Sequence, residues 1–470
     1  MTSQPDSAPA GGSNPGGSSA EAATTSAAPA FTGLRAGFGV RDITPPIGTP
    51  NSLGVECQVE EIWNPLLATA LVLEDDSTRA AIIGLDLCGL LEEPHRRIRE
   101  AVAAAIDCHP DAVILNSSHT HSAPYVSSEL DALLRPFGLR NTDPDYLRDL
   151  QQAVVEAATK AALIPFATTV SAGRARVDRV GANRRPKRAD GQTIHRPGRP
   201  ADPADRALPE GLIDPEVAVV AFADSEDGSP SGCIFSYACH PTAAGGDLHG
   251  WVSADFVGSA RELIEPRING MPALFLQGCG GNVGTGKYIQ GTPAEDVRTM
   301  GNHLANSVAR VLDRPTPVTL GPLQVVRRTI PIELEPFPPL AEMEQQLATA
   351  AARDTAAVVA IGDALVVARR VAEFRNAPVT VVASGDLAIV ALPGEVFVEF
   401  GIAIREGSPF PWTIVTAYND NSLQYIPTQS AFPEGAYEVD GGWRYIAPGA
   451  GEAMAAGAIA LLQEMRRGAG

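Results

Sequence analysis

Ala112-Val113-Ile114-Leu115-Asn116-Ser117-Ser118-His119-Thr120-His121-Ser122 passes directly from an apolar run to a polar segment holding two histidines. A short unbroken run of aliphatic residues suits a strand buried on both faces, so residues 112–116 are predicted as such a strand. Polar residues just beyond a strand's carboxyl end are where open α/β sheets place their sites. In extended backbone, residues i and i+2 point to one side, so both imidazoles are expected to face one cleft. Two adjacent imidazolium ions would repel, which leaves a metal or a neutral pair as the natural state. The plain alternative is a polar loop after a strand.

The same pattern extends outward. Residues 67–73, 80–87, 169–177, 217–223, 234–237 and 273–277 read as strands. Helices are predicted near 94–106, 144–163, 255–264 and 293–312, with a long Ala-rich helix near 340–374 and a last one near 452–465. Strands interleaved with helices predict an α/β protein with a multi-layer mixed sheet. Residues 1–30 are almost wholly Ala, Gly, Ser, Pro and Thr, too poor in apolar area to offset chain entropy, and are expected to be a disordered tail. Residues 31–470 are expected to form a single catalytic domain. Residues 184–211, rich in Pro, Arg, Asp and Gly, make a long irregular segment of the kind that is functional or mobile.

The chain has 470 residues, 36 Lys plus Arg against 55 Asp plus Glu, and a net charge of −19. That balance excludes a nucleic-acid binder, which needs a clustered basic surface. Charged residues are 19% of the total, below the roughly 25% of a typical soluble domain, so a large core is expected. No stretch is long and apolar enough for a transmembrane helix. The N-terminus lacks a signal peptide's basic and apolar regions. Six scattered cysteines without CxxC spacing read as buried thiols, and a cytoplasmic location is expected.

Three further signals stand at ends of apolar runs. His240 follows residues 234–237 in Tyr237-Ala238-Cys239-His240-Pro241, and Glu395 follows 387–393 in Pro393-Gly394-Glu395. The third is Thr416-Ala417-Tyr418-Asn419-Asp420-Asn421 with Gln424-Tyr425-Ile426-Pro427-Thr428. Together they supply His, Glu and Tyr side chains from separate strand ends, an N/O set suited to zinc with a position left for water. The stretch from Gly278 to Lys287 is not a phosphate loop, because Tyr288 stands where Walker A needs Ser or Thr. It reads instead as a tight turn that brings backbone close to a ligand or metal. Cys279 as a nucleophile lacks any sign of an activated thiolate.

In this order the residues resemble the neutral (non-lysosomal) ceramidases and their shorter bacterial relatives. Gly37-Phe38-Gly39-Val40-Arg41-Asp42-Ile43-Thr44-Pro45-Pro46 is similar to the family's opening. Asp86-Leu87, the HTHS of His119–Ser122, Asn183-Arg184, His240-Pro241, Pro393-Gly394-Glu395 and Tyr425-Ile426-Pro427-Thr428 follow. The resemblance implies hydrolysis of an N-acyl amide with one Zn2+, held by His119, His240, Glu395 and Tyr425. It makes His121 a second active-site histidine that is not a ligand, Arg184 a substrate-contacting residue and Tyr437 a second active-site tyrosine. His121 and Tyr437 would then stabilise the developing oxyanion, and His121 or Glu395 would protonate the leaving amine.

Residues 281–286 lack the Asp, Ser and Pro of the corresponding family segment. Tyr425 lies 470 − 425 = 45 residues from the end, so no immunoglobulin-like C-terminal domain is expected. The substrate is therefore a small-molecule amide, lipid-like or soluble. An ester or lactone hydrolase, or a metal-stabilised binding protein for an acylated ligand, are the other functions this site fits. Residues 184–211 suggest a lid whose Arg184, Arg185, Lys187 and Arg188 meet an acidic group on the substrate. The bland alternative is a solvated loop in which only Arg184 matters.

Overall fold

The structure is a computed structural model that describes residues 33–468 apart from 52–56, 200–201, 246–249, 354 and 421–422. The tail expected over 1–30 lies outside the described residues. Strands of five residues or more are β1 Arg35–Asp42, β2 Leu67–Glu74, β3 Arg79–Leu85, β4 Val113–Ser117, β5 Phe166–Arg176, β6 Glu216–Asp224, β7 Pro230–Tyr237 and β8 Ala273–Gln277. They are followed by β9 Leu323–Pro331, β10 Asn376–Ser384, β11 Leu387–Ala391 and β12 Trp412–Thr416. The first eight form one mixed sheet in the order β8-β7-β6-β5-β1-β2-β3-β4, and the last four form a second, β9-β10-β11-β12.

Two-residue periodicity divides each strand between two cores. Ala68, Ala70 and Val72 of β2 face a cluster with helices α1 (Glu92–Ala105) and α2 (Pro144–Leu163). Leu71 and Leu73 point the other way, into a core shared with Val382, Ile389 and Ile414 of the second sheet. Helices α3 (Asp255–Ile264) and α4 (Pro293–Leu312) cover the β7/β8 half of the first sheet. The outer face of the second sheet packs on α7 (Val398–Gly407) and α8 (Ala450–Gly468). The layers therefore run helix, sheet, sheet, helix, which is the multi-layer mixed-sheet α/β class expected from the sequence.

Among these twelve strands three adjacent pairs are parallel: β3 with β4, β7 with β8, and β11 with β12. Their carboxyl ends converge. Asn116 at the end of β4 accepts from the backbone N–H of Gln277 (2.7 Å) and donates to the carbonyl of Ala417 (2.6 Å). One side chain thus joins the two edges of the first sheet to the end of the second.

The long helix expected over 340–374 is instead three pieces: α5 (Leu340–Arg353), α6 (Thr355–Arg369) and a short turn at Val371–Phe374. The reason is burial. Met343, Leu347 and Ala350 of α5 and Val358, Val359 and Leu365 of α6 enter one cluster with Tyr125 and Leu130, which a single straight rod could not do. Among the described residues no helix is long and apolar enough to cross a membrane.

Helix α2 lies on β1 through a glycine contact: a Cβ on Gly39 would stand 2.1 Å from the carbonyl oxygen of Ala157. Gly39→Ala is expected to cost about 1–3 kcal/mol through overpacking, read as a lower urea midpoint with the m-value unchanged. An unshifted midpoint would show that helix and sheet are not in this contact.

Candidate metal centre

Each candidate ligand follows a strand end. His119 stands two residues past β4, and its φ is +62°, so the segment is not extended there. The two imidazoles therefore do not share a cleft through the i, i+2 alternation of extended backbone that the sequence suggests. The left-handed residue turns the chain, and the rings still meet edge to face with centroids 4.9 Å apart. Backbone bonds fix the turn: His119 N–H donates to Leu87 O (2.9 Å), and His121 N–H to Pro241 O (3.1 Å). The second bond ties the two histidine motifs together.

His119 Nε2 is 3.3 Å and His240 Nε2 3.0 Å from the same atom, Glu395 Oε2. All three residues are buried, and their ligand atoms lie within 4.8 Å of one another. The opposite ring nitrogens are committed. His119 Nδ1 stands 2.6 Å from Cys88 O, and His240 Nδ1 stands 2.7 Å from Gly280 O. A carbonyl can only accept, so both Nδ1 atoms carry a proton, and in the neutral form that a metal ligand requires each ring turns an Nε2 lone pair toward a carboxylate oxygen. Three electron-pair donors facing one another in a buried space repel unless a cation lies among them. The donor set of two imidazoles and one carboxylate, with carbonyl partners fixing the rings, fits a zinc ion. Cys88, His119 and His121 form a second group of the same compactness. It competes for His119, whose Nδ1 is already bonded to the Cys88 carbonyl.

Burial, then the Arg184 guanidinium, push His240 down to about 3, the neutral form a ligand requires.

Tyr425 sits beside Glu395 as its register partner in a two-residue parallel bridge, and its ring lies parallel to His240 with centroids 6.4 Å apart. Gly281 permits this approach: a Cβ there would stand 2.3 Å from Glu395 O. The glycine-rich stretch therefore carries His240 and Glu395 rather than a phosphate. Its Asn282 accepts from the N–H of Val398 at the start of α7 (2.9 Å). Cys279 faces a different cavity, with Arg174 and Arg405, and burial raises its thiol.

Arg184 is buried. Its Nε donates to Glu438 Oε1 (2.8 Å) and its Nη2 to the Tyr425 hydroxyl (2.5 Å). Arg185 donates to the other Glu438 oxygen (2.9 Å), Lys187 pairs with Glu434 (2.8 Å) and Arg188 with Asp205 (2.7 Å). These four cations are thus each paired with a carboxylate of the protein. Tyr437 meets Tyr425 edge to face with centroids 5.9 Å apart. His119, His121, Arg184, Glu395, Tyr425 and Tyr437 all line one cavity of about 290 Å³. His240, fully buried, stands behind them.

Several site residues carried no sequence signal. Glu438 is wholly buried and gathers Arg184, Arg185 and His195. Tyr418, within the motif that follows β12, places its ring centroid 4.6 Å from that of His119. Tyr125 and Gln424 line the cavity and both reach Asp363 of α6: the tyrosine hydroxyl donates to Oδ2 at 2.6 Å and the Gln424 amide at 3.1 Å. No local pattern marks residues whose partners lie 61 or more positions away in the chain.

No known protein family and no curated protein sequence matches the chain. Solved structures do share its fold. The neutral ceramidase from Pseudomonas aeruginosa superposes on 92% of this chain and 75% of its own, with a TM-score of 0.69 at 18% identity. A ceramidase complexed with C2 superposes on 93% of this chain and 75% of its own, with a TM-score of 0.68, also at 18% identity. The fold is that of the neutral ceramidases.

Burial raises Asp363 to about 7 from an ordinary 3.8, against the Tyr125 hydroxyl. A carboxyl raised on folding stabilises the native state at low pH and loses that contribution as pH climbs through the folded value. Asp363→Asn, which cannot ionise, is therefore expected to gain stability relative to the parent between about pH 4 and 7, by about 1 kcal/mol or more. Denaturation midpoints at pH 5 and pH 8 check this; a difference independent of pH would contradict it.

Proposed function

We propose that the chain is a zinc-dependent amidohydrolase that cleaves the amide bond of an N-acyl compound. The observation that carries this reading is the convergence of two imidazole lone pairs and a carboxylate at the floor of a cavity, on the neutral ceramidase fold. His119, His240 and Glu395 would hold the zinc, with Tyr425 as a fourth ligand. A zinc ion there would supply Lewis acidity toward the amide carbonyl and would lower the pKa of water toward ~7.

The protein's own groups would do the rest. Arg184, fixed by Glu438, holds the Tyr425 hydroxyl in place. His121 and Tyr437, both at the cavity wall, are positioned to donate to the carbonyl oxygen as it gains negative charge. His121 is also the group suited to pass a proton to the departing amine nitrogen, because its ring lies beside the ligands without being one of them. Amide cleavage depends on that proton more than ester cleavage does, since an amine is the poorer leaving group.

The test uses two variants and two readouts, metal content and turnover of an N-acyl amide. His240→Ala is expected to lose both. His121→Ala is expected to keep its zinc while kcat falls by about 10²- to 10⁴-fold, the usual range for a lost general acid. A metal-free His240→Ala protein that still turns over would overturn the zinc reading. An unimpaired His121→Ala enzyme would remove His121 from the chemistry.

A further inference from the structure

A secondary amide that enters the cavity brings an N–H as well as a carbonyl, and the N–H needs an acceptor once water is displaced. Arg184 and Arg199, both in the cavity wall, can only donate, and the Thr242 hydroxyl is bonded to that of Thr285 (2.9 Å). Gln424 is different. It lines the same cavity as Glu395 and Tyr425, and its hydrogen bonds decide which end of its amide faces that space.

The nitrogen end is committed to the protein. Gln424 Nε2 donates to Asp363 Oδ2 (3.1 Å) and to the Tyr125 hydroxyl, which itself donates to Asp363 Oδ2 (2.6 Å). Asp363 belongs to α6, behind the cavity wall. A carboxylate cannot donate, so the nitrogen and not the oxygen of the amide turns toward it, and Oε1 takes the opposite side. Among the described residues no group donates to Gln424 Oε1. Nor is that oxygen sealed in without a partner, as Gln277 Oε1 is. It is an acceptor with an open face, in a side chain that two bonds already hold, which lowers the entropy lost on binding.

The backbone is committed to the same placement. Gln424 has φ of +52°, a left-handed conformation that costs any residue with a Cβ energy and persists where the surroundings impose it. Its carbonyl accepts the N–H of Glu395 (2.7 Å), and the N–H of Tyr425 donates to Trp443 O (3.0 Å). Glycine would take this conformation without steric cost. A glutamine there instead delivers an amide to the cavity, one residue before the candidate ligand Tyr425.

We propose that Gln424 Oε1 accepts the N–H of a scissile secondary amide, which makes Gln424 a specificity-determining residue for amides over N–H-free analogues. The proposal rests on the amidohydrolase reading of the same site. As the carbonyl carbon becomes tetrahedral, amide resonance is lost and the nitrogen lone pair becomes free to take a proton. Holding the N–H at Oε1 turns that lone pair away from Gln424 and leaves it open to the proton donor. A site built around an N–H rejects analogues that lack one, because its acceptor is then left unpaired.

The probes are N-acetylphenethylamine, its N-methyl derivative and phenethyl acetate, which share both end groups and differ at the linking atom. Binding of the two amides to the zinc-loaded full chain is measured by calorimetry at pH 8, where Asp363, raised to about 7, is ionised. Product release from all three is followed in parallel, with zinc content as the check that each variant keeps its fold. The secondary amide is expected to bind about ten-fold more tightly than the N-methyl amide. Gln424→Met should abolish that difference and lower the amide-to-ester ratio of kcat/KM by about 10- to 100-fold. Gln424→Glu, which keeps an oxygen acceptor at the same length, should retain part of both. Equal binding of the two amides, a preference that survives in Gln424→Met, or a preference lost equally in Gln424→Met and Gln424→Glu would each overturn the proposal. If the N–H is preferred in binding yet no probe is cleaved, the role of Gln424 stands and the amidohydrolase reading fails.

Discussion

A carboxylate oxygen of Glu395 faces two imidazole nitrogens in a buried space at the floor of the cavity. With both rings neutral these groups would separate if left to themselves, because nothing in the triangle then donates. The surrounding structure prevents this by using the far side of each ring: the carbonyls of Cys88 and Gly280 claim the Nδ1 protons and so fix both orientation and tautomer. Much of the architecture follows from that requirement. The two carbonyls come from the ends of β3 and β8, and the rings from the ends of β4 and β7. The parallel pairing of each couple brings a ring and its supporting carbonyl to the same end of the sheet. Asn116 then closes the gap between the two edges.

Around this centre a second arrangement depends on one buried anion. Glu438 is fully enclosed, and burial alone would raise its carboxyl, yet Arg184, His195 and Arg185 bring it down to about 2. Removing such an anion would leave buried guanidinium groups unpaired, the costly half of a broken ion pair. Through Arg184 the pair reaches the Tyr425 hydroxyl, and through His195 the Tyr437 ring, whose centroid is 4.6 Å away. Segment 184–211, irregular as it is, gains rigidity from these bonds and from Arg196. It forms one wall of the cavity.

The strand framework was legible because near-continuous aliphatic runs such as Leu67–Glu74 are what double-sided burial requires. Positions of the candidate ligands were legible for a related reason: polar groups immediately after such runs have nowhere to go but the sheet's end. The left-handed turn at His119 was not, since a histidine carries no conformational signature and the turn is imposed by Leu87 and Pro241. The break between α5 and α6 escaped too, because Ala-rich sequence favours helix on both sides of it and only the shared cluster with Leu130 folds the pair together. Glu438 and Asp363 were invisible for a third reason. A buried charge is recognisable only by its partners, and those lie far away in the chain.

Anomalous diffraction at the zinc absorption edge, from crystals grown with equimolar zinc, tests the central claim most directly. The account predicts one strong peak at bonding distance from His119 Nε2, His240 Nε2 and a Glu395 oxygen, about 2.0–2.2 Å from each. A peak elsewhere, or a zinc-saturated crystal in which the three groups face one another with no peak between them, would contradict it.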